Sequence, residues 1–263
     1  MKFCAHLDMF FPELPMAERL KRFAELGFDS FELWCHWEYE LDKLAAESRH
    51  QQLQVAALAT AFIPLTDKNR HEEYLKGLKE SIAACRMLDC PLIISQVGNL
   101  QSDSPREHQT QYIINGLRMA DRLLKDTGIT LVVEPLNVLV DHPGYFLTRS
   151  DDAAAIVEAV GSEHVKMLFD VYHQQISEGN LINNIRRYLP LIGHFHVADN
   201  PGRKQPGTGE INYENIFKAI DESGFCGRAG LEFSPQGDTR TVLREFLAHY
   251  VQKQEGANDH AAL

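Results

Sequence analysis

Eight short apolar runs, rich in β-branched residues, recur along this chain and constrain its fold more than any other feature. They are KFCAHL, FDSFELW, QVAALATAF, PLIISQV, ITLVVEPLN, VKMLFDVYH, IGHFHVAD and GRAGLEF, beginning near residues 2, 28, 54, 91, 129, 165, 192 and 228. Amphipathic segments of helical spacing lie between them, among them MAERLKRFAELG, EEYLKGLKESIAACRMLD, YIINGLRMADRLLKDTG and YENIFKAIDESG. Several end in glycine and pass at once into the next apolar run, a helix stop followed by a strand. Strand and helix alternating eight times in 263 residues predict an α/β fold, a (β/α)8 TIM barrel, for which about 250 residues are typical. A doubly wound open sheet is the structural alternative. No low-complexity linker divides the chain, so residues 1–251 read as one barrel domain and 252–263 (QKQEGANDHAAL) as a polar, flexible tail.

Composition narrows the partners. The chain is 44% hydrophobic, ordinary for a globular protein, and holds no apolar run near the ~20 residues a membrane span requires. Asp8 interrupts the opening segment too early for a secretory leader. Five cysteines, odd in number and without a C-x-x-C pair, fit reduced thiols in a cytoplasmic protein. A net charge of −11 argues against a nucleic-acid backbone or an anionic membrane as the main partner. It leaves a small-molecule substrate open, and is compatible with a homo-oligomer.

In a barrel the chemistry sits at the carboxyl ends of the strands. Those ends carry Glu134 in LVVEP, Asp170 in LFDVYH, His196 in HFHVAD and Glu232 in GLEFSP, spaced 36, 26 and 36 residues apart on four successive strands. One strand-end glutamate can be a loop cap, and one strand histidine a satisfied core residue. Three carboxylates at one mouth repel one another unless a cation is present. One divalent ion held by three carboxylates and an imidazole resolves the conflict; the set suits Mn²⁺, with Mg²⁺, Co²⁺ or Zn²⁺ as alternatives. His194 lies two residues deeper on the same face and reads as packing or support for the ligands.

The stretch from Glu134 to Glu232, with VEPLN, PGYFLTRSDDAAAIVEAVG, FDVYHQQISEGN, PLIGHFHVADNPGR, TGEINY and LEFSP, resembles the hydroxypyruvate isomerase family of xylose isomerase-like barrels, relatives of ketose 3-epimerases. The opening LDMFFPELPMAERLKRFAELGFDSFELW is similar to it too. The resemblance implies metal ligands at Glu134, Asp170, His196 and Glu232, and a sugar or keto-acid substrate bearing an α-hydroxycarbonyl group. It further implies proton transfer by Glu134 and Glu232 through an enediolate that the metal stabilises, with His173 as a donor to a substrate oxygen. Where His196 stands, the hydroxypyruvate isomerases usually carry glutamine; histidine is what the 3-epimerases carry. Ketose 3-epimerisation on the same site is therefore the alternative reading.

Arg203, in NPGRK, would hold an anionic or polarised substrate oxygen above this acidic mouth, with Lys204 beside it more simply solvated. Gly207 and Gly209 would let that loop turn close to the substrate. Glu32 and His6, late in the second and first strands, are further substrate-binding candidates; Trp34, His36 and Trp37 could wall the pocket. Less favoured are a lyase or deglycosidase subunit and a binding barrel without turnover. A phosphodiesterase like the family's apurinic endonuclease would need extra zinc ligands, and the strand ends ATAF and SQVGN and the loop GRKQPG do not supply them.

Overall fold

The computed structural model describes residues 1–251. The expectation of a flexible tail over 252–263 lies outside the described residues. Eight strands form a closed barrel in sequence order: β1 (Lys2–His6), β2 (Ser30–Leu33), β3 (Gln54–Ala59), β4 (Leu92–Ser95), β5 (Thr130–Val133), β6 (Val165–Asp170), β7 (Ile192–Val197) and β8 (Arg228–Leu231). Every pairing is parallel, and β1 closes on β8 with Cys4 beside Gly230. Parallel neighbours need a crossover, which amphipathic helices supply on the outside. Such helices are α1 (Met16–Leu26), α2 (Leu41–His50), α3 (His71–Leu88), α4 (Arg106–Leu124), α5 (Ser150–Val160), α6 (Val171–Ser177), α7 (Leu181–Tyr188), α8 (Tyr213–Glu222) and α9 (Thr239–Tyr250). The barrel is therefore the one the eightfold repeat predicts, with the crossover from β6 to β7 split into two short helices. No helix among the described residues is long and apolar enough to cross a membrane.

Outward-facing strand residues pack under the helices. Phe3 of β1 meets Phe217 of α8 and Phe246 of α9 edge-on, both at 5.0 Å between centroids, and each such pair adds about 0.5–1.5 kcal/mol beyond the area it buries. Inward-facing residues divide the lumen in two. From β3 to β6 they are apolar: Ala57, Ala59, Leu92, Ile94, Val132 and Leu168 form a plug of their own. Across β1, β2, β7 and β8 they are Cys4, Glu32, His194 and Gly230, so half of the barrel floor is polar. Alternation then continues both halves upward to the mouth, where Val132 is followed by Glu134, Leu168 by Asp170, His194 by His196 and Gly230 by Glu232.

Candidate active site

Four side chains converge where β5, β6, β7 and β8 end. Ligand atoms of Glu134, Asp170, His196 and Glu232 all lie within 4.8 Å of one another, and each residue is at most 4% exposed. His196 Nδ1 stands 3.3 Å from Glu134 Oε1 and 3.1 Å from Glu232 Oε2. Glu134 Oε1 and both ring nitrogens of His196 are nevertheless buried without a properly formed hydrogen bond. Buried polar atoms rarely remain so, and carboxylate oxygens aimed at an imidazole nitrogen are the donor set a divalent cation requires. The residues fit such an ion.

The surroundings treat the carboxylates differently. Asp170 caps α6, accepting the backbone N–H of His173 at 3.0 Å. Burial, then the charge of Glu232, pushes Asp170 up to about 6. Glu232 accepts the indole N–H of Trp34 at 2.6 Å on Oε1 and the Arg203 guanidinium at 2.5 Å on Oε2. Burial would raise it, but Arg203 and His196 outweigh burial and hold Glu232 well below the usual carboxylate range. His196 is lifted well above the usual imidazole range in the opposite sense, its burial overcome by Glu232, Glu32 and Glu134. Glu134 is fixed through its backbone, whose carbonyl accepts the Tyr145 hydroxyl at 3.1 Å.

Two more histidines face this cluster with their tautomers set. His173 Nδ1 accepts the backbone N–H of Asn137 at 3.3 Å and the Asn137 side-chain amide at 2.7 Å, which leaves the proton on Nε2, buried without a hydrogen bond and 3.7 Å from Asp170 Oδ2. Burial and the neighbouring Arg203 push His173 down to about 4, so it is a neutral donor. His6 repeats the arrangement from β1: Nδ1 accepts the N–H of Asp8 at 3.2 Å and Nε2 is buried without a partner. Its ring lies 4.5 Å from that of Trp34, and burial lowers its pKa as well.

The structure adds detail to the sequence-based expectations at four places. Glu32 is not at the mouth: it is fully buried one layer below, its Oε2 bonded to His194 Nε2 at 2.8 Å and its Oε1 3.4 Å from His196 Nε2. Alternation carries the third residue of a four-residue strand into the lumen, where Glu32 meets His194 and His196. Arg203 spends Nη2 on Glu232 and Nε on the Glu232 carbonyl, and its guanidinium lies 5.5 Å from the Tyr172 ring centroid. Gly207 and Gly209 turn around Asp199, whose carboxylate accepts N–H groups from Asn200, Gly207, Thr208, Gly209 and Ile211. A Cβ on Gly209 would lie 2.1 Å from the Asn200 carbonyl, so glycine there closes the loop on its own backbone. His36 and Trp37 diverge from Trp34: His36 pairs with Ser81 at 3.1 Å, while Trp37, half exposed, packs edge-on with Phe62.

Asn137 and Asp199 carry no distinctive signal in the sequence. VEPLN and VADN carry them, but an amide or carboxylate after a strand is too common a signal to mark which histidine or which loop it organises.

The profile of the family described as Xylose isomerase-like TIM barrel matches residues 20–250. The hydroxypyruvate isomerase of Escherichia coli K12 is 32% identical over 256 residues, covering 93% of this chain and 97% of its own. A 2-oxo-tetronate isomerase of Haemophilus influenzae is 30% identical, covering 93% and 98%. Among solved structures, one from Brucella melitensis described as an AP endonuclease, family 2, superposes with a TM-score of 0.90 at 28% identity, covering 94% of this chain and 98% of that one.

Proposed function

Because the chain belongs to the hydroxypyruvate isomerase family of xylose isomerase-like TIM barrels, we propose that it is a divalent-metal-dependent isomerase of a small α-hydroxycarbonyl keto acid or sugar. The observation that carries this reading is the buried cluster of Glu134, Asp170, His196 and Glu232, where carboxylate and imidazole atoms face one another without hydrogen bonds. All four would hold the ion, Mn²⁺ best by donor type, and when bound it supplies Lewis-acid polarisation of the carbonyl and neighbouring hydroxyl oxygens.

The chain's own residues supply the rest. Glu134, whose Oε1 makes no hydrogen bond, takes the proton from the hydroxyl-bearing carbon and returns it to the adjacent one, while the hydroxyl proton passes to the neighbouring former carbonyl oxygen, so that the product is the neutral isomer. Glu232, held ionised and in place by Trp34 and Arg203, can accept a proton from the opposite side. Interconversion by one base gives an isomerase; use of both faces gives a 3-epimerase, the second reading, which the histidine at position 196 favours. His173 and His6 donate Nε2–H groups to substrate oxygens while staying neutral.

The test is a panel of hydroxypyruvate, tartronate semialdehyde, 2-oxo-tetronates and free ketoses, with Mn²⁺-loaded and chelator-stripped protein in D₂O. Turnover only with metal, with deuterium entering the reprotonated carbon early, is the expected result. Full activity after stripping, or product free of deuterium over many turnovers, would refute it.

A further inference from the structure

Among the described residues, Glu32 is the one carboxylate in the polar half of the lumen that the proposed chemistry does not use. Its two oxygens are divided between two histidines of β7. Oε2 accepts from His194 Nε2 at 2.8 Å and from the Cys4 thiol at 3.5 Å; Oε1 stands 3.4 Å from His196 Nε2. Neither Glu32 Oε1 nor His196 Nε2 makes a formed hydrogen bond, so each is the other's nearest charged neighbour at 3.4 Å, and both residues are at most 1% exposed. The opposite nitrogen of the same ring, Nδ1, is the one facing Glu134 and Glu232.

We propose that Glu32 is a positioning residue for His196: it holds the Nε2 proton from below, so that the Nδ1 lone pair points at the ion bound by Glu134, Asp170 and Glu232. A ligating imidazole whose other nitrogen donates to a carboxylate is fixed in tautomer and orientation and is a stronger base, and removing such a partner costs 10–100-fold in metal affinity. Glu32 is in turn fixed by His194, which explains a second buried histidine two residues from the first.

Room for this carboxylate comes from Gly230 of β8, which pairs with His196 on one side and Cys4 on the other. A Cβ there would lie 1.8 Å from Glu32 Oε1 and 2.5 Å from Oε2. The backbone at Gly230 is not in the left-handed region, so the requirement for glycine is the space alone. Because His194 pins the far oxygen, a methyl group at 230 must push Glu32 off His196.

This inference rests on the metal reading above, and its test separates the two. Mn²⁺ is titrated calorimetrically into chelator-stripped wild type, Glu32→Gln and Gly230→Ala, and the His196 Nε2 proton is followed by NMR of ¹⁵N-histidine-labelled metal-free protein. Both variants are expected to bind Mn²⁺ roughly 10–100-fold more weakly, with the slow exchange of the Nε2 proton lost. Gly230→Ala keeps every charge, so a general field effect of Glu32 would weaken only Glu32→Gln. Glu32→Gln is isosteric and keeps the test available if Gly230→Ala does not fold. Wild type that binds Mn²⁺ with Glu32→Gln unchanged would overturn the positioning role and spare the metal. Wild type that binds no Mn²⁺, with a protected Nε2 proton released in the variants, would overturn the metal and spare the contact.

Discussion

One barrel encloses two groups of ligand-type side chains, one layer apart, and they differ in a way residue types alone do not show. At the mouth Glu134, Asp170, His196 and Glu232 converge; beneath them Cys4, Glu32 and His194 lie equally close, also within 4.8 Å and fully inside. In the lower group each donor has an acceptor: the thiol and the His194 Nε2–H both meet Glu32 Oε2. Burial, then Glu32, pushes the Cys4 thiol well above its ordinary value, so it stays protonated and donates. In the upper group Glu134 Oε1 and His196 Nδ1 point at one another unbonded. Within the lower group only Glu32 Oε1 is left over, and it faces His196 of the upper group. The upper group leaves three of its ligand atoms, Glu134 Oε1 and both His196 nitrogens, without hydrogen bonds, which is what supports reading it as the site.

The sharpest way to break this contrast is at Glu134. Replacing it by Gln removes the proposed base, and turnover is expected to fall about 10²–10⁴-fold while the apo fold persists, because no formed side-chain hydrogen bond is lost at Oε1. Turnover and thermal unfolding measured on the same preparation check both halves. A destabilised apo protein would place Glu134 among the structural residues instead.

A smaller effect concerns acid. His173 has its pKa lowered from 6.5 to about 4, so below 6.5 the unfolded chain binds the proton that the folded one refuses. Stability should fall by about 3 kcal/mol at most as pH drops from 6.5 to 4. Asp170, raised from 3.8 to about 6, binds its proton more tightly when folded and contributes the opposite slope between those values. The quantity to read is therefore the difference between wild type and His173→Gln in denaturant unfolding of metal-free protein across this range. His173→Gln should be less acid-sensitive, and identical slopes would show that His173 is not held neutral.

The smallest expected change lies in the lower group. Cys4→Ala removes a thiol hydrogen bond and should cost about 1 kcal/mol of stability without altering Mn²⁺ affinity. Calorimetry showing a weakened Mn²⁺ site would erase the distinction between the two groups, and with it the idea that satisfaction of donors tells them apart.

Much of this molecule is written in its periodicity. The strands begin within two residues of where the apolar runs begin, because a fully buried parallel strand must be continuously apolar and its helix amphipathic. Closure into a barrel then carries the last inward residue of each strand to one mouth. That is why Glu134, Asp170, His196 and Glu232 could be grouped from strand ends alone. Glu32 and His6 show where such reading stops. Both sit late in their strands and are register partners, yet His6 lies against Trp34 while Glu32 reaches His194 and His196, since barrel tilt and shear decide which neighbours an inward residue meets and are not encoded in a strand's own residues.

The sequence by itself determined the repeat, the barrel and the set of ligand-type residues at the strand ends, for these follow from local pattern and chain length. Tertiary structure alone decided that Arg203 closes on Glu232, that Asn137 sets the proton of His173, and that Gly230 makes room for Glu32 under His196. Each is a contact between residues 29 to 198 positions apart, fixed by ångström distances in a packed interior that no linear pattern carries.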